Sequence, residues 1–531
     1  MSKGIWNSLT RRKPIAKSLE QTSGEKHLTW YDLTAYGIAA TVGSGIYVTC
    51  GRIAKDMAGP SVVFSTGIAG LLSLFTGICY LEFASSLPIA GSGYAYFYTL
   101  MGEFLGWLIG WNLTLEYAFA AAAIAGGWSQ YLVSVFAQAG WKVPEVLYHV
   151  PLTTMGGIDF RINVMAAVVI LLIGGIVSRG LKFGAIITNC ITALNLGIIL
   201  FILGVGSMYV EKSNWTPFMP HGLNGVFSGS GEMFFSYIGY DTISSLAGEA
   251  INPGRDLPIA VLLTVGTATV LYMGVGLVLT GMKSYLLLDE RSPLAHAFVQ
   301  VGAPWASYVV AICALFTMAA TMFACLMGQP KIFQAIAKDG LLPRLFAREN
   351  HHGTPVAGVS MTAILTAAMA LFLDVDNGLI DMISFGTLLG MSILCSGLLV
   401  VRFEQHRPIS KLGTALSVIY LLGTIVSTVV YNTDHFFGYI TAAVTMLVPF
   451  LGLCYLFAAY SGYLASTSLA FSTPLMPLFP CVAMAANSFM MLQMEKVLIG
   501  FFQFSAWTAI GLLIYFTYGI NNSQLIHDEE K

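Results

Sequence analysis

Charged residues are scarce in this chain. Lys, Arg, Asp and Glu make up 10% of its 531 residues, while hydrophobic types make up 56%. An ordinary soluble domain carries about 25% charged residues, so this composition excludes a soluble globular protein. The net charge of -2, with no basic stripe beyond the first thirty residues, argues against nucleic acid as a partner.

Sequence motifs of enzymes and metal sites are also missing. No HExxH, GxSxG or GxxxxGK[ST] pattern occurs in a plausible context, so the common signatures of hydrolases and nucleotide-binding enzymes are lacking. The eight cysteines lie in or beside apolar segments without a CxxC pair, which indicates buried hydrophobic side chains rather than disulfides or metal ligands. We therefore predict no enzymatic activity, no cofactor and no metal site.

The chain is instead rich in long apolar runs, and its mean hydropathy is +0.74. A helix needs about 20 apolar residues to cross roughly 30 Å of hydrocarbon. Such runs lie at 32–55, 59–81, 97–133, 161–178, 183–205, 225–250, 258–281, 304–330, 354–373, 380–401, 413–431, 437–460, 476–493 and 495–519. We predict an all-α integral membrane protein with about 14 transmembrane helices.

The basic residues indicate the orientation of these helices. With the N-terminus inside and strict alternation, 17 of the 25 Lys and Arg residues fall on the cytoplasmic side. The first 27 residues lack the apolar core of a cleaved signal peptide. We expect a multi-pass protein with both termini in the cytoplasm, most simply in the plasma membrane, with a vacuolar membrane as the alternative.

Two of the runs are interrupted by glycine in the middle. The first interruption is Gly43-Ser44-Gly45 in the first run, and the second is Ile238-Gly239-Tyr240-Asp241 in the sixth run. Broken helices at corresponding places in two halves indicate a five-plus-five inverted repeat with a binding site at the membrane midplane. A substrate, ion or water must satisfy the backbone groups that the unwound turns expose. The alternative is that these glycines only permit close helix packing.

The residues around these breaks resemble a known transporter superfamily. Residues 39–48 (AATVGSGIYV), 234–241 (FFSYIGYD) and 248–253 (GEAINP) resemble the amino acid/polyamine/organocation superfamily, and within it the cationic amino acid transporter family. Residues 474–477 (PLMP) and 515–520 (YFTYGI) resemble helices 13 and 14, which many members lack. The resemblance covers residues from about 25 to 523.

The resemblance implies a division of the chain. Residues 1–30 would form a cytoplasmic tail, and residues 31–403 would form the inverted-repeat transport core of helices 1–10, in which helices 1 and 6 are discontinuous. Residues 404–520 would contain four extra helices, and residues 521–531 a second cytoplasmic tail.

The chemistry of an amino acid substrate predicts the binding residues. Its carboxylate needs N–H donors from a helix N-terminus, and its ammonium needs carbonyl acceptors from a helix C-terminal end. The N–H groups of Ser44, Gly45 and Ile46 suit the first role, and the carbonyls of Phe235, Ser236 and Ile238 suit the second. The resemblance points to the same positions. The complete predicted site comprises Thr41, Gly43, Ser44, Gly45, Ile46, Glu116, Phe235, Ser236, Ile238 and Thr321.

Acidic residues within apolar runs are costly and therefore informative. Glu116 has apolar neighbours for two turns on either side, and we expect it to meet a cationic side chain or the substrate amine; a structural hydrogen bond is the alternative. The resemblance implies a transport role for Glu103, for which a cap or salt bridge is the alternative. Asp241 is predicted to control the inner gate, and Phe235 to cover the bound substrate.

Residues on the eighth run complete the predicted pocket. The resemblance places Met318, Thr321 and Met322 around the substrate side chain, although such a stripe is also typical of plain packing.

These observations predict a transporter that carries amino acids, in particular cationic ones such as arginine, lysine and ornithine, by alternating access. Proton-coupled relatives carry a lysine in the middle of helix 5, whereas this chain has Asn195 there, so we expect transport driven by the membrane potential without proton coupling. A proton carried by Glu116 or Asp241 is the alternative. The other rivals are a proton-coupled carrier of neutral or varied amino acids and a transporter-like receptor. The sequence gives no indication about an accessory membrane subunit.

Overall fold

The computed structural model describes residues 9–15, 26, 28–43, 45–86, 92–155, 158–179, 181–289, 292–351, 354–372, 379–404, 407–431, 436–460, 471–494 and 497–529. Most of these residues are helical. The α-helices are α1 (Trp30–Thr41), α2 (Cys50–Ile53), α3 (Val62–Ser86), α4 (Ser92–Leu100), α5 (Glu103–Thr114), α6 (Ala120–Gln138), α7 (Val164–Val177), α8 (Leu181–Ser207), α9 (Gly222–Met233), α10 (Thr242–Ser245), α11 (Pro253–Met282), α12 (Pro293–Gln300), α13 (Pro304–Lys338), α14 (Val356–Phe372), α15 (Leu379–Glu404), α16 (Arg407–Tyr431), α17 (Phe436–Ala459), α18 (Leu478–Gln493), α19 (Val497–Ile514), α20 (Ile520–Asn522) and α21 (Gln524–Glu529).

Several of these helices are long and apolar enough to cross a membrane. In the described part of the chain, seven segments meet both criteria: Gly45–Ser85, Glu103–Gln138, Pro253–Met282, Pro304–Lys338, Ile380–Glu404, Ile409–Ser427 and Leu498–Ile526. Shorter apolar helices lie at Val164–Val177, Thr192–Ser207, Val356–Phe372, Ala443–Ala459 and Leu478–Gln493. Helices satisfy their own backbone groups, which a bilayer requires. The helical membrane fold is confirmed, whereas the count of 14, the inverted repeat and the division at residue 403 remain predictions.

Both predicted helix breaks are present. Helix α1 ends at Thr41, Val42 is extended with φ -83° and ψ 92°, and the chain resumes as a π-helical turn at Gly45–Thr49. Helix α9 continues as a 3-10 turn at Phe234–Tyr237 and then breaks at Ile238, with ψ 133°. Unwound backbone of this kind occurs in membrane helices only where protein buries it or where it lines a cavity.

The two broken helices pack directly against each other. A Cβ atom on Gly45 would lie 2.3 Å from the Cβ of Ser236, and one on Gly239, whose φ is +116°, would lie 2.6 Å from the Ala40 carbonyl oxygen. Any side chain at either glycine would therefore push the two helices apart. These glycines therefore permit close packing of the two helices, and they also lie at the helix breaks.

A tyrosine on α11 satisfies carbonyl groups at both breaks. The Tyr272 hydroxyl shares its proton between the Thr41 carbonyl at 2.9 Å and the Ser236 carbonyl at 3.1 Å. Tyr272 is fully buried. This one side chain supplies part of the hydrogen bonding that the unwound turns lose.

Helices α5 and α6 are joined without interruption by a π-helical turn at Leu115–Phe119, which contains Glu116. Single π turns inside α-helices occur frequently at functional sites because they widen the helix locally.

The N-terminal residues 9–15 contact the ends of α13 and α15. Arg12 forms a two-pronged ion pair with Glu404, with both contacts at 2.8 Å. The Lys13 ammonium donates to Asp339 at 2.6 Å, and the Tyr94 hydroxyl donates to the same carboxylate at 2.8 Å. These contacts hold the tail against the ends of α13 and α15, on the side that we predict to be cytoplasmic.

A small hairpin departs from the helical pattern. Strands β1 (Val150–Met155) and β2 (Ile158–Ile162) pair in antiparallel register, with Val150 opposite Ile162. The predicted all-α fold contained no strands, so this hairpin is a departure from it. The hairpin lies between apolar runs, where the backbone of a short connection can pair with itself without crossing the membrane.

Candidate functional site

A small cavity of about 30 Å³ lies where the two broken helices meet α6 and α13. This is room for about two water molecules, so an amino acid can bind there only when the surrounding helices move apart. Among the predicted site residues, those that line the cavity are Thr41, Gly43, Gly45, Glu116, Phe235, Ser236, Ile238 and Thr321. The structure thus brings together residues from four separated segments of the chain.

Two predicted residues are not placed at the cavity. Ile46 is fully buried but is not among the residues that line it, and Ser44 lies outside the described residues. Donation from the backbone N–H groups of Ser44 and Ile46 to the substrate carboxylate therefore remains a prediction.

The carbonyls at the second break are partly engaged. The Phe235 carbonyl accepts the Ile238 N–H at 3.2 Å, and the Ser236 carbonyl accepts the Tyr272 hydroxyl. A carbonyl oxygen has two lone pairs, so each of them can still accept a bond from a substrate ammonium. The buried Thr41 hydroxyl, which also lines the cavity, has no hydrogen-bond partner.

Phe235 and Thr321 provide walls of the cavity. Phe235 is 6% exposed, in keeping with a ring that covers the space. The Thr321 hydroxyl donates to the Thr317 carbonyl at 3.2 Å, and a Cβ on Gly43 would lie 2.7 Å from it. Met318 and Met322 are buried in the core and are not among the lining residues, so the packing alternative holds for these two positions.

The sequence prediction missed several lining residues. Ala120 and Ile124 follow Glu116 at intervals of four, and Cys325 follows Thr321 at the same interval. Residues four apart lie on one face of a helix. This spacing from an already predicted residue is the signal that could have identified them.

Glu116 lies at the boundary between this cavity and a second one. The second cavity, also of about 30 Å³, is lined by residues of α3, α4, α5 and α15 together with Glu116 and Asp241. The two carboxyl groups lie close enough to interact. Glu116 is 4% exposed and Asp241 is 2% exposed, and neither Glu116 Oε1 nor either Asp241 oxygen has a hydrogen-bond partner.

No basic side chain is among the described residues that line either cavity. Buried carboxylates normally have a cationic partner, because an uncompensated charge in the membrane interior is strongly unfavourable. The arrangement therefore suits a cation that arrives from outside the protein. Within the described ranges, no three His, Cys, Asp or Glu side chains lie close enough together to bind a metal ion.

Asn195 on α8 supports the first helix break from behind the cavity. Its amide nitrogen donates to the Val42 carbonyl at 3.1 Å, and its oxygen accepts the Tyr47 hydroxyl at 2.8 Å. Asn195 is not among the lining residues. It thus satisfies the exposed carbonyl of the unwound turn with a group that cannot titrate.

Glu103 lies at the start of α5, away from the cavity. Its carboxylate is fully buried and accepts the hydroxyls of Tyr98 at 3.3 Å, Tyr515 at 3.0 Å and Ser523 at 2.5 Å. These contacts join α5 to the C-terminal part of the chain. They favour an anchoring function, and a role of Glu103 in gating remains a prediction.

Known proteins are similar in sequence to this chain over most of its length. The amino acid permease family model matches residues 28–485, and the model for the permease C-terminus matches residues 471–523. Human cationic amino acid transporter 4 is 32% identical over 98% of this chain and 91% of its own length.

Two further relatives come from a plant and a bacterium. Arabidopsis thaliana cationic amino acid transporter 3, mitochondrial, is 30% identical over 99% of this chain and 96% of its own. The Bacillus subtilis methylthioribose transporter is 37% identical over 76% of this chain and 87% of its own. The chain therefore belongs to the amino acid permease family of the amino acid/polyamine/organocation superfamily, with cationic amino acid transporters among its relatives.

Proposed function

We propose that this membrane protein carries cationic amino acids such as arginine, lysine and ornithine across the bilayer by alternating access. The observation that carries the proposal is the buried Glu116 at the cavity between the two helix breaks. Its Oε1 atom has no partner, and no basic residue lines the cavity in the described part of the chain. A substrate cation would supply the charge that this carboxylate lacks.

The substrate backbone would lie at the two breaks. The N–H groups near Gly45 would hold its carboxylate, and the carbonyls of Phe235, Ser236 and Ile238 would hold its ammonium. Phe235 would cover the bound molecule. Opening towards the inside would then separate the broken helices from α6 and α13, with Asp241 and Glu103 acting near the inner gate.

Transport would be driven by the membrane potential alone. Asn195 bonds to the Val42 carbonyl and cannot exchange a proton, so this position offers no route for proton coupling. A single positive charge gains about 2.3 kcal/mol per 100 mV. This corresponds to roughly fifty-fold accumulation, because about 1.36 kcal/mol is a factor of ten.

A proton-coupled carrier of neutral amino acids is the second candidate, and the Glu116–Asp241 pair favours it. Two adjacent buried carboxylates without a cation can share a proton. The name of the methylthioribose transporter shows that relatives of this chain also carry other kinds of substrate. The substrate class must therefore be measured directly.

Uptake into proteoliposomes tests the proposal. Under a potassium diffusion potential, inside negative and with no pH gradient, the protein should accumulate labelled arginine. A pH gradient at zero potential should not drive uphill uptake of arginine or alanine. Uphill uptake of alanine under the pH gradient alone would replace the proposal by the second candidate. Binding without accumulation of either substrate would indicate a receptor.

We place the protein in the plasma membrane with both termini in the cytoplasm. The excess of basic residues on the predicted inner side supports this orientation.

A further inference from the structure

Helix α19 belongs to the stretch that matches the permease C-terminus, and it packs against α5. Its Trp507 ring stacks on the Trp111 ring of α5, with centroids 4.6 Å apart and planes at 16°. The Trp111 indole N–H donates to the Trp507 carbonyl at 2.9 Å, and the Trp107 indole N–H donates to the Gly511 carbonyl at 3.0 Å. Ring stacking and two hydrogen bonds therefore hold α19 in a fixed register against α5.

The same tryptophan also contacts the π-helical turn that contains Glu116. Phe119 is the last residue of this turn, and its ring meets the Trp507 ring in an edge-to-face arrangement with centroids 5.0 Å apart. Phe119 is 6% exposed and Trp111 is 8% exposed. Trp507 thus spans the turn, from Trp111 before it to Phe119 at its end.

A second contact of α19 lies at the start of the turn. A Cβ on Gly386 of α15 would lie 2.7 Å from Leu115 Cδ1 and 3.2 Å from Phe504 Cδ2. Leu115 of the turn and Phe504 of α19 therefore pack side by side on the same glycine, and both are buried. Helix α19 supports the turn at both of its ends.

The other side of the turn faces the first cavity. Glu116 and Tyr117 line that cavity, whereas Leu115 and Phe119 line neither cavity. A π turn is rare, and it occurs mostly as a single turn within a helix that is otherwise α. Tertiary contacts must therefore favour it here, and the contacts with α19 are made on the side away from the cavity.

We infer that Trp507 is a positioning residue for Glu116: its ring braces the π turn from the side away from the cavity and so fixes the direction of the carboxylate. This inference rests on the proposed function, in which Glu116 meets the substrate cation. It gives α19 a part in substrate selectivity, although none of the described residues of α19 lines either cavity.

The test replaces Trp507 by leucine and by phenylalanine and measures the ratio of the arginine KM to the alanine KM in proteoliposomes. Trp507→Leu removes the ring, and the ratio should rise about tenfold. Trp507→Phe keeps an aromatic ring and should retain most of the wild-type ratio. The indole N–H of Trp507 has no hydrogen-bond partner in the described part of the chain, so this variant loses no hydrogen bond there.

Phe489→Leu is the matched control. Phe489 on α18 meets Phe227 on α9 edge to face with centroids 5.1 Å apart, so it also joins a C-terminal helix to the rest of the chain. Neither of these two residues lines either cavity. The control should lower the melting temperature without changing the KM ratio.

A double substitution distinguishes positioning from a general loss of stability. In a Glu116→Gln background, Trp507→Leu should change the KM ratio no further, because the charge that the brace directs is already gone. Phe119→Leu breaks the same edge-to-face contact from the other side, and it replaces Trp507→Leu in every comparison if that variant does not fold.

Hydrogen exchange of residues 115–124 tests the brace without a substrate. Exchange should be faster in Trp507→Leu than in the wild-type protein or in Phe489→Leu. Unchanged exchange, an unchanged KM ratio in Trp507→Leu, or an equal further shift in the Glu116→Gln background would overturn the inference while leaving the proposed function intact. Failure of the wild-type protein to take up arginine would instead remove the proposed function, whereas faster exchange of this segment would still support the brace.

Discussion

Removal of the Glu116 charge is the sharpest test of substrate selectivity. Glu116→Gln keeps the size of the side chain and removes its negative charge. Glu116 is 4% exposed, lines both cavities and has an unpartnered Oε1 atom. The substitution therefore breaks no hydrogen bond at that atom, and it removes a titratable group whose ionised form is costly to bury. We expect the melting temperature of the substrate-free variant to stay the same or rise.

The size of the effect on arginine follows from the contacts. Removal of one partner from a buried charge pair costs 2–5 kcal/mol, mostly because the other charge remains unpaired. In the variant, Asp241 still lies beside position 116 and can interact with the arginine cation. We therefore use the lower end of the 2–5 kcal/mol range. A loss of about 2 kcal/mol corresponds to roughly a thirty-fold weaker affinity. Alanine has no side-chain cation and does not lose this interaction.

The assay is the ratio of the arginine KM to the alanine KM in proteoliposomes. We expect this ratio to rise roughly thirty-fold in Glu116→Gln. Glu103→Gln is the matched control, because it removes another buried carboxylate that does not line the cavity. The control should lower the melting temperature, since Glu103 accepts three hydroxyls, without changing the ratio.

Equal losses for arginine and alanine in Glu116→Gln would refute this reasoning. They would place Glu116 at the amine that all amino acids share, or in the scaffold of α5 and α6. An unchanged ratio together with a lower melting temperature would assign Glu116 to the scaffold alone.

Three further predictions concern the helix crossing, the N-terminal tail and the orientation. Gly45→Ala should abolish uptake and lower the melting temperature, because the new Cβ would lie 2.3 Å from the Cβ and 2.7 Å from the Cα of Ser236. Uptake and the substrate-induced thermal shift measure these effects. Lys13→Met should destabilise the protein by about 3 kcal/mol, because it breaks a buried ion pair with Asp339; the melting temperature measures this. A cysteine at Asn214, in a background without native cysteines, should react with an impermeant maleimide in intact cells, because the segment at 206–224 is predicted to lie outside.

Matched variants control these experiments. Gly266→Ala adds a Cβ to a helical glycine with nothing within 4 Å, so uptake should persist. Arg12→Met breaks the more exposed pair with Glu404 and should cost no more than about 1 kcal/mol. Normal uptake by Gly45→Ala, equal stability losses for both tail variants, or labelling of position 214 only after permeabilisation would contradict the respective prediction.

Local signals in the sequence predicted much of the architecture. Apolar runs of about 20 residues specify membrane helices, because the bilayer thickness sets their length and each helix satisfies its own backbone. Glycines at the centre of two runs indicated the breaks at Val42 and Ile238, which the structure contains. A carboxylate within an apolar run identified Glu116, because its burial there must be compensated.

The tertiary structure alone decided which distant residues meet. Glu116 and Asp241 are 125 positions apart, yet packing of the broken helix against α5 and α6 makes them neighbours. Tyr272 satisfies carbonyls at both breaks, although nothing in its local sequence distinguishes it from other buried tyrosines. The second cavity arises from the fit of side chains on separate helices. Hydropathy and local sequence motifs describe each helix by itself, whereas these contacts depend on helix rotation and crossing, which only packing in three dimensions fixes.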